Sequence, residues 1–113
     1  MSATSLKDRQ RAIALFASYG SLLTETQARM VESYYSYDLS LTEIAEADAI
    51  SRAAVSEAIK SALVKMEEFE TKLGLVAKKE KIGGVMSKIE KISDPSMRLK
   101  AYEQFVEELK DGI

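Results

Sequence analysis

The sequence predicts an all-α protein, and three observations carry that expectation. Apolar residues recur every three to four positions along most of the 113-residue chain, the spacing that gathers them on one side of a helix. One proline and five glycines are too few to supply the turn every ~8–12 residues that an all-β fold needs. Two Ser/Thr-x-x-Glu/Gln sequences, Thr24–Gln27 and Ser40–Glu43, stand ahead of apolar stretches, where side chain and backbone can satisfy each other at a helix start. An apolar share of 46% against 30% charged allows both a packed core and a solvated surface, and the length suits one domain with an appendage.

Five or six helices are expected in order. The first runs from Leu6 to Tyr19, with Ile13, Leu15, Phe16 and Tyr19 inward and Gly20 as its stop. The second follows the Thr24 capping box to about Tyr37, its apolar face made by Met30, Val31, Tyr34 and Tyr35. The third is short, from Leu41 to Ala47, with Leu41, Ile44 and Ala45 inward. Asp48-Ala49-Ile50 forms a turn, and the Ser51 hydroxyl is placed to cap the fourth helix at Ala53 or Ala54. Nothing breaks that helix from Arg52 to Leu73, and Gly74 suits the left-handed position past its end.

Within the fourth helix Val55, Ile59, Ala62, Met66, Phe69 and Leu73 step by four and three, a heptad seam. It covers about three heptads, so a bundle helix packing on the first is favoured over a coiled coil. Beyond it, residues 78–91 carry five lysines against two glutamates, and Gly83-Gly84 lowers helix stability by about 2 kcal/mol relative to alanines, so a kink or break is expected there. Asp94-Pro95 restarts the chain as cap and first helical residue. The last helix presents Leu99, Tyr102, Val106 and Leu109 as its apolar stripe, with Phe105 beside it.

Absent residue types exclude whole classes of chemistry. With no Cys and no His, disulfides, thiol chemistry, iron–sulfur ligation and imidazole catalysis are ruled out, and common zinc sites with them. No nucleophile–base pair, phosphate loop or metal cluster is readable, so the expectation is a protein that is no enzyme and holds no cofactor or metal. Lys7, Asp8, Arg9 and Arg11 interrupt any apolar leader, and no stretch approaches the ~18 apolar residues of a membrane span. A cytoplasmic location is expected.

The informative stretch is Leu41–Ile59. A short helix, a three-residue turn and a long helix have the dimensions of a helix-turn-helix. Ile44 and Val55 are placed to pack the two helices together, Ala45 is small where they cross, and Ile50 is expected to plug the turn. The sequence YSYDLSLTEIAE over residues 35–46, followed by ISRAAV over residues 50–55, resembles the region-four helix-turn-helix of sigma factors. More closely it is similar to the YlxM family of small bacterial proteins. Tyr19–Thr24 upstream and Glu68–Leu75 downstream carry the same likeness, which covers residues 5 to about 75. The resemblance implies a DNA-binding or regulatory protein linked by gene neighbourhood to the signal recognition particle. It divides the chain into a helix-turn-helix domain, residues 1–75, and a helical tail, residues 76–113, used for packing or dimerisation.

Candidate DNA-contacting residues follow from the motif: Ser51, Arg52, Ala53, Ser56, Glu57 and Lys60, on the start of the helix that would enter the major groove. Lys7, Arg9 and Arg11 are candidates for phosphate contact. Several positions depart from the usual pattern. Asp48 stands where an apolar residue is common, Ala49 where many such turns place glycine, and Ala53 where this family often has Gln. Arg52 and Lys60 are the only cations on the expected reading face, and residues 24–73 hold ten acids against five bases. An acidic domain of this kind also suits a second reading, an accessory factor that docks a protein or ribonucleoprotein of the targeting pathway without touching DNA. Tyr34, Tyr35 and Tyr37 are read as core residues rather than a base-stacking surface. Residues 78–91 are read as a solvated face rather than a phosphate-binding one. The heptad seam and the amphipathic tail lead to the expectation of a homodimer.

Overall fold

Side chains fix most of the helix starts. Ser5 Oγ accepts the Asp8 N–H at 3.1 Å, Ser51 Oγ accepts the Ala54 N–H at 3.0 Å, and Asp94 Oδ1 accepts the Ser96 N–H at 2.9 Å. Both expected capping boxes close in both directions: Thr24 with Gln27 at 3.1 and 3.2 Å, and Ser40 with Glu43 at 3.0 Å each way. Each bond satisfies an N–H that the first helical turn leaves without a partner. In this computed structural model, which describes residues 5–112, six α-helices result: α1 (Leu6–Tyr19), α2 (Glu25–Val31), α3 (Leu41–Asp48), α4 (Arg52–Leu73), α5 (Leu75–Glu90) and α6 (Pro95–Lys110). No strand occurs among the described residues. A 3₁₀ turn, Gly20–Leu22, follows α1, and α2 widens into a π turn over Glu32–Ser36, closed by Tyr37 N–H on Glu32 O at 3.0 Å.

The helices fall into two compact units that divide after Gly74. In the first, α4 is the central element and touches α1, α2 and α3. Its seam residues Val55, Ile59, Ala62 and Met66 are fully buried within this unit, so the heptad pattern serves a bundle face. Against them lie Ala12, Leu15 and Tyr19 of α1, Met30 and Val31 of α2, Tyr35, and Leu41, Ile44 and Ala45 of α3. Phe69 is half-buried with its ring 5.9 Å from that of Tyr19, and Leu73, the last seam position, is exposed.

Several sequence expectations are corrected. Ile13 is 40% exposed, and the smaller Ala12 takes the inward place on α1. Gly20 does not stop α1 by a left-handed turn, because its φ is −56°. It is glycine for room: a Cβ there would stand 2.9 Å from the Phe16 ring. Tyr37 is 65% exposed and is no core residue.

In the second unit α5 runs unbroken through Gly83-Gly84. Both glycines keep right-handed backbone and a Cβ on either would meet nothing, so the pair weakens the helix without breaking it. The buried residues here are Val76, Ile89 and Phe105. Phe105, not the Leu99–Leu109 stripe, is the buried residue of α6.

Candidate nucleic-acid interface

The arrangement of α3 and α4 starts at one backbone position. Ala49 adopts φ 56° and ψ 43°, the left-handed region that costs an L-residue roughly 1–2 kcal/mol. In return the chain reverses tightly: Ala49 N–H reaches Glu46 O at 3.4 Å, and Ile50 N–H reaches Ala45 O at 3.1 Å. These bonds close the last carbonyls of α3, as a glycine-type helix stop does. Ser51 then opens α4 after a turn of three residues, Ala49–Ser51. Leu41, Ile44, Ala45, Val55 and Ile59 are buried where α3 and α4 meet the body. Ile50 does not plug the turn as expected: it is 39% exposed, because the backbone bonds rather than its side chain complete the reversal.

Asp48 has a reason that the sequence pattern hides. Its Oδ2 accepts the Arg29 Nε–H at 2.9 Å, tying the end of α3 to α2. On the other side of the motif, Gln27 Nε2 donates to Ser61 Oγ at 3.3 Å, which ties α2 to α4. Farther along, Arg11 makes a two-pronged pair with Glu67 at 2.9 and 2.8 Å, and the Tyr19 hydroxyl meets Glu70 at 2.5 Å. No residue spacing in the sequence announces these four ties, since each partner lies on a different helix.

The start of α4 is left outside the core. Ser51, Arg52, Ala53, Glu57 and Lys60 are exposed and Ser56 is half-buried. A helix advances 100° per residue, which sets Ala53, Glu57 and Lys60 in one row and Arg52 and Ser56 beside it. The Ser51 hydroxyl is occupied by the Ala54 N–H. Among the described residues Arg52 and Lys60 take part in no ion pair, whereas Arg9 is bound to Asp38 at 2.8 Å, Arg11 to Glu67 and Arg29 to Asp48. Arg9 and Arg11, read from the sequence as phosphate contacts, are thus held by carboxylates of their own chain. Glu57 sits in the same exposed row as Lys60 and offsets part of its charge.

A cleft of about 360 Å³ opens beside the start of α3, lined by Arg9, Tyr34, Tyr35, Asp38, Leu39, Ser40 and Glu43. The rings of Tyr34 and Tyr35 meet edge to face, 4.9 Å between centres at 89°. Burial, then Tyr34 and Asp8 nearby, pushes the Tyr35 hydroxyl above its ordinary value of 10.0. Among the described residues no group of three or more carboxylates is placed to hold a metal ion, and no helix is long and apolar enough to cross a membrane.

Compared with known families, residues 6–109 match the one described as "Putative helix-turn-helix protein, YlxM / p13 like". The chain belongs to this family. The YlxM / p13-like match runs well past residue 75, where the likeness read from the sequence stops, so it takes in most of α6 as well as the helix-turn-helix. A UPF0122 protein of Symbiobacterium thermophilum is 46% identical over 67% of this chain and 71% of its own. One from Thermoanaerobacter sp. is 38% identical over 86% of this chain and 89% of its own. Another, from Desulforamulus reducens, is 52% identical over 53% of this chain and 51% of its own.

Proposed function

We propose that this protein is a DNA-binding regulator whose α4 enters the major groove by its first turns. The observation that carries the reading is the contrast among the arginines of the first unit. Among the described residues Arg52 stands exposed and in no ion pair at the free end of the motif, with Lys60 exposed two turns on, while Arg9, Arg11 and Arg29 are held by carboxylates. In this reading Arg52 contacts a base edge or a phosphate, and Lys60 a phosphate. Ala53 and Ser56 approach the groove floor, where an alanine methyl meets thymine and a hydroxyl gives or takes a single hydrogen bond. Ser51 holds the α4 start, whose remaining N–H groups favour a nearby phosphate. Glu57 lowers non-specific affinity and accepts from a cytosine amino group. The cytoplasm is the compartment this role requires.

The test is fluorescence anisotropy on a library of labelled duplexes at low salt, with unlabelled competitor. A selected duplex is expected to survive competition, to lose about tenfold or more in affinity with Arg52→Ala, and to show a shallower salt slope with Lys60→Ala. No binding to any duplex at low salt would end this reading.

One observation favours a second reading. Residues 24–73 carry ten acids against five bases, a surface suited to a basic protein or ribonucleoprotein of the signal recognition particle pathway. Retention of particle components, with DNA not retained, is the outcome that would select it.

A further inference from the structure

The last helix carries an apolar row that its own unit leaves open. Leu99, Tyr102, Val106 and Leu109 step by three, four and three along α6, the a/d spacing of a heptad seam. Leu99 is 59% exposed, Val106 50% and Leu109 40%, with Tyr102 half-buried. The unit that holds this helix is thin: its buried residues are Val76, Ile89 and Phe105. A segment of about 40 residues seldom buries enough apolar surface to be stable by itself.

We propose that the row Leu99–Tyr102–Val106–Leu109 is a self-association surface that takes the same row of a second copy of this chain. Charge selects that occupant. With the row at a and d, Arg98 falls at g and Glu103 at e, on opposite flanks and five residues apart. In a parallel pair each residue of the row meets its own counterpart, and Arg98 of each copy faces Glu103 of the other, the e/g pairing that heptad helices use. Neither residue is in an ion pair within its own chain among the described residues. One guanidinium nitrogen of Arg98 donates to Ile92 O at 3.1 Å, which orients the group and leaves its other donors free. The row is short, so association is weak, in the micromolar range or above. The inference stands apart from the DNA reading, because it uses none of the α4 residues.

Sedimentation equilibrium of the full chain tests it, from about 1 μM to a few hundred μM, the range in which so small an interface dissociates. The mass is expected to rise from one chain to two. Val106→Asp is expected to remain at one chain throughout. Leu22→Asp, which removes a comparably exposed apolar residue (51%) in the first unit, is expected to associate as the unaltered chain does. Circular dichroism is expected to show that both variants keep their helix content. A single-chain mass for the unaltered protein at every concentration overturns the proposal, and so does a Val106→Asp variant that still pairs.

Discussion

Replacing Ala49 by glycine tests the turn that sets α3 against α4. Ala49 is held at φ 56°, and relief of that left-handed strain in an L-residue is worth roughly 1–2 kcal/mol. Glycine gives back about 0.5–1 kcal/mol through its larger freedom in the unfolded chain. The balance is a gain of about 0.5–1 kcal/mol. For a unit of this size 1 kcal/mol moves the melting temperature by ~4–8 °C, so a rise of roughly 2–8 °C is expected. Gly74 is the mirror case. It holds φ 62° with open space where a Cβ would stand, so Gly74→Ala meets backbone strain alone and should lose a similar amount. Thermal unfolding followed at 222 nm, with urea titration as a check, reads both variants. If Ala49→Gly melts at or below the unaltered protein, the claim that strain is stored in this turn is wrong. Gly83→Ala, the same exchange at a right-handed position, should gain where Gly74→Ala loses, and that contrast separates backbone conformation from any general effect of alanine or glycine.

Three further glycines and one tyrosine give three more expectations. Gly83→Ala and Gly84→Ala should each stabilise α5 by about 1 kcal/mol, read as slower amide exchange in residues 80–88, because a Cβ there meets nothing. Gly20→Ala should instead cost about 1–2 kcal/mol, since its Cβ would force the Phe16 ring aside from 2.9 Å. In Tyr35 the folded state holds the hydroxyl proton more tightly than the unfolded chain, whose value is 10.0. Its contribution is therefore complete below that pH and falls away as pH rises above it toward the higher folded value. Tyr35→Phe should show a smaller loss of urea stability between neutral pH and about pH 11, and an unchanged loss would remove Tyr35 as its source.

Local signals reached the structure well. Capping boxes at Thr24 and Ser40, the cap at Ser51 and the Pro95 restart act between residues two or three apart, so the sequence contains both partners. The helix-turn-helix core was equally legible, because Ile44, Ala45 and Val55 lie within one short stretch. The pattern of one helix misleads where two elements decide. Phe105 rather than the Leu99 stripe is buried because the packing direction of α6 is set by its surroundings, not by its own most regular pattern. Gly20 is a case inside a single helix: its position suggests a stop, and the Phe16 ring four residues earlier excludes a side chain, a matter of ring placement that spacing does not show. The tie of Arg29 to Asp48 spans nineteen residues and two helices, and an exposed arginine looks the same whether or not a carboxylate waits for it.

The spacing of the ties along α4 has a mechanical consequence. Ser61, Glu67, Phe69 and Glu70 fasten its later turns to α2 and α1 by hydrogen bonds and a ring contact, while among the described residues Arg52 to Lys60 has no such polar or aromatic fastening. That first stretch, about 13 Å long, is held instead by the burial of Val55 and Ile59 and by the α3 reversal behind it. Its placement therefore rests on non-directional packing, whereas the rear of the helix is pinned by directional bonds.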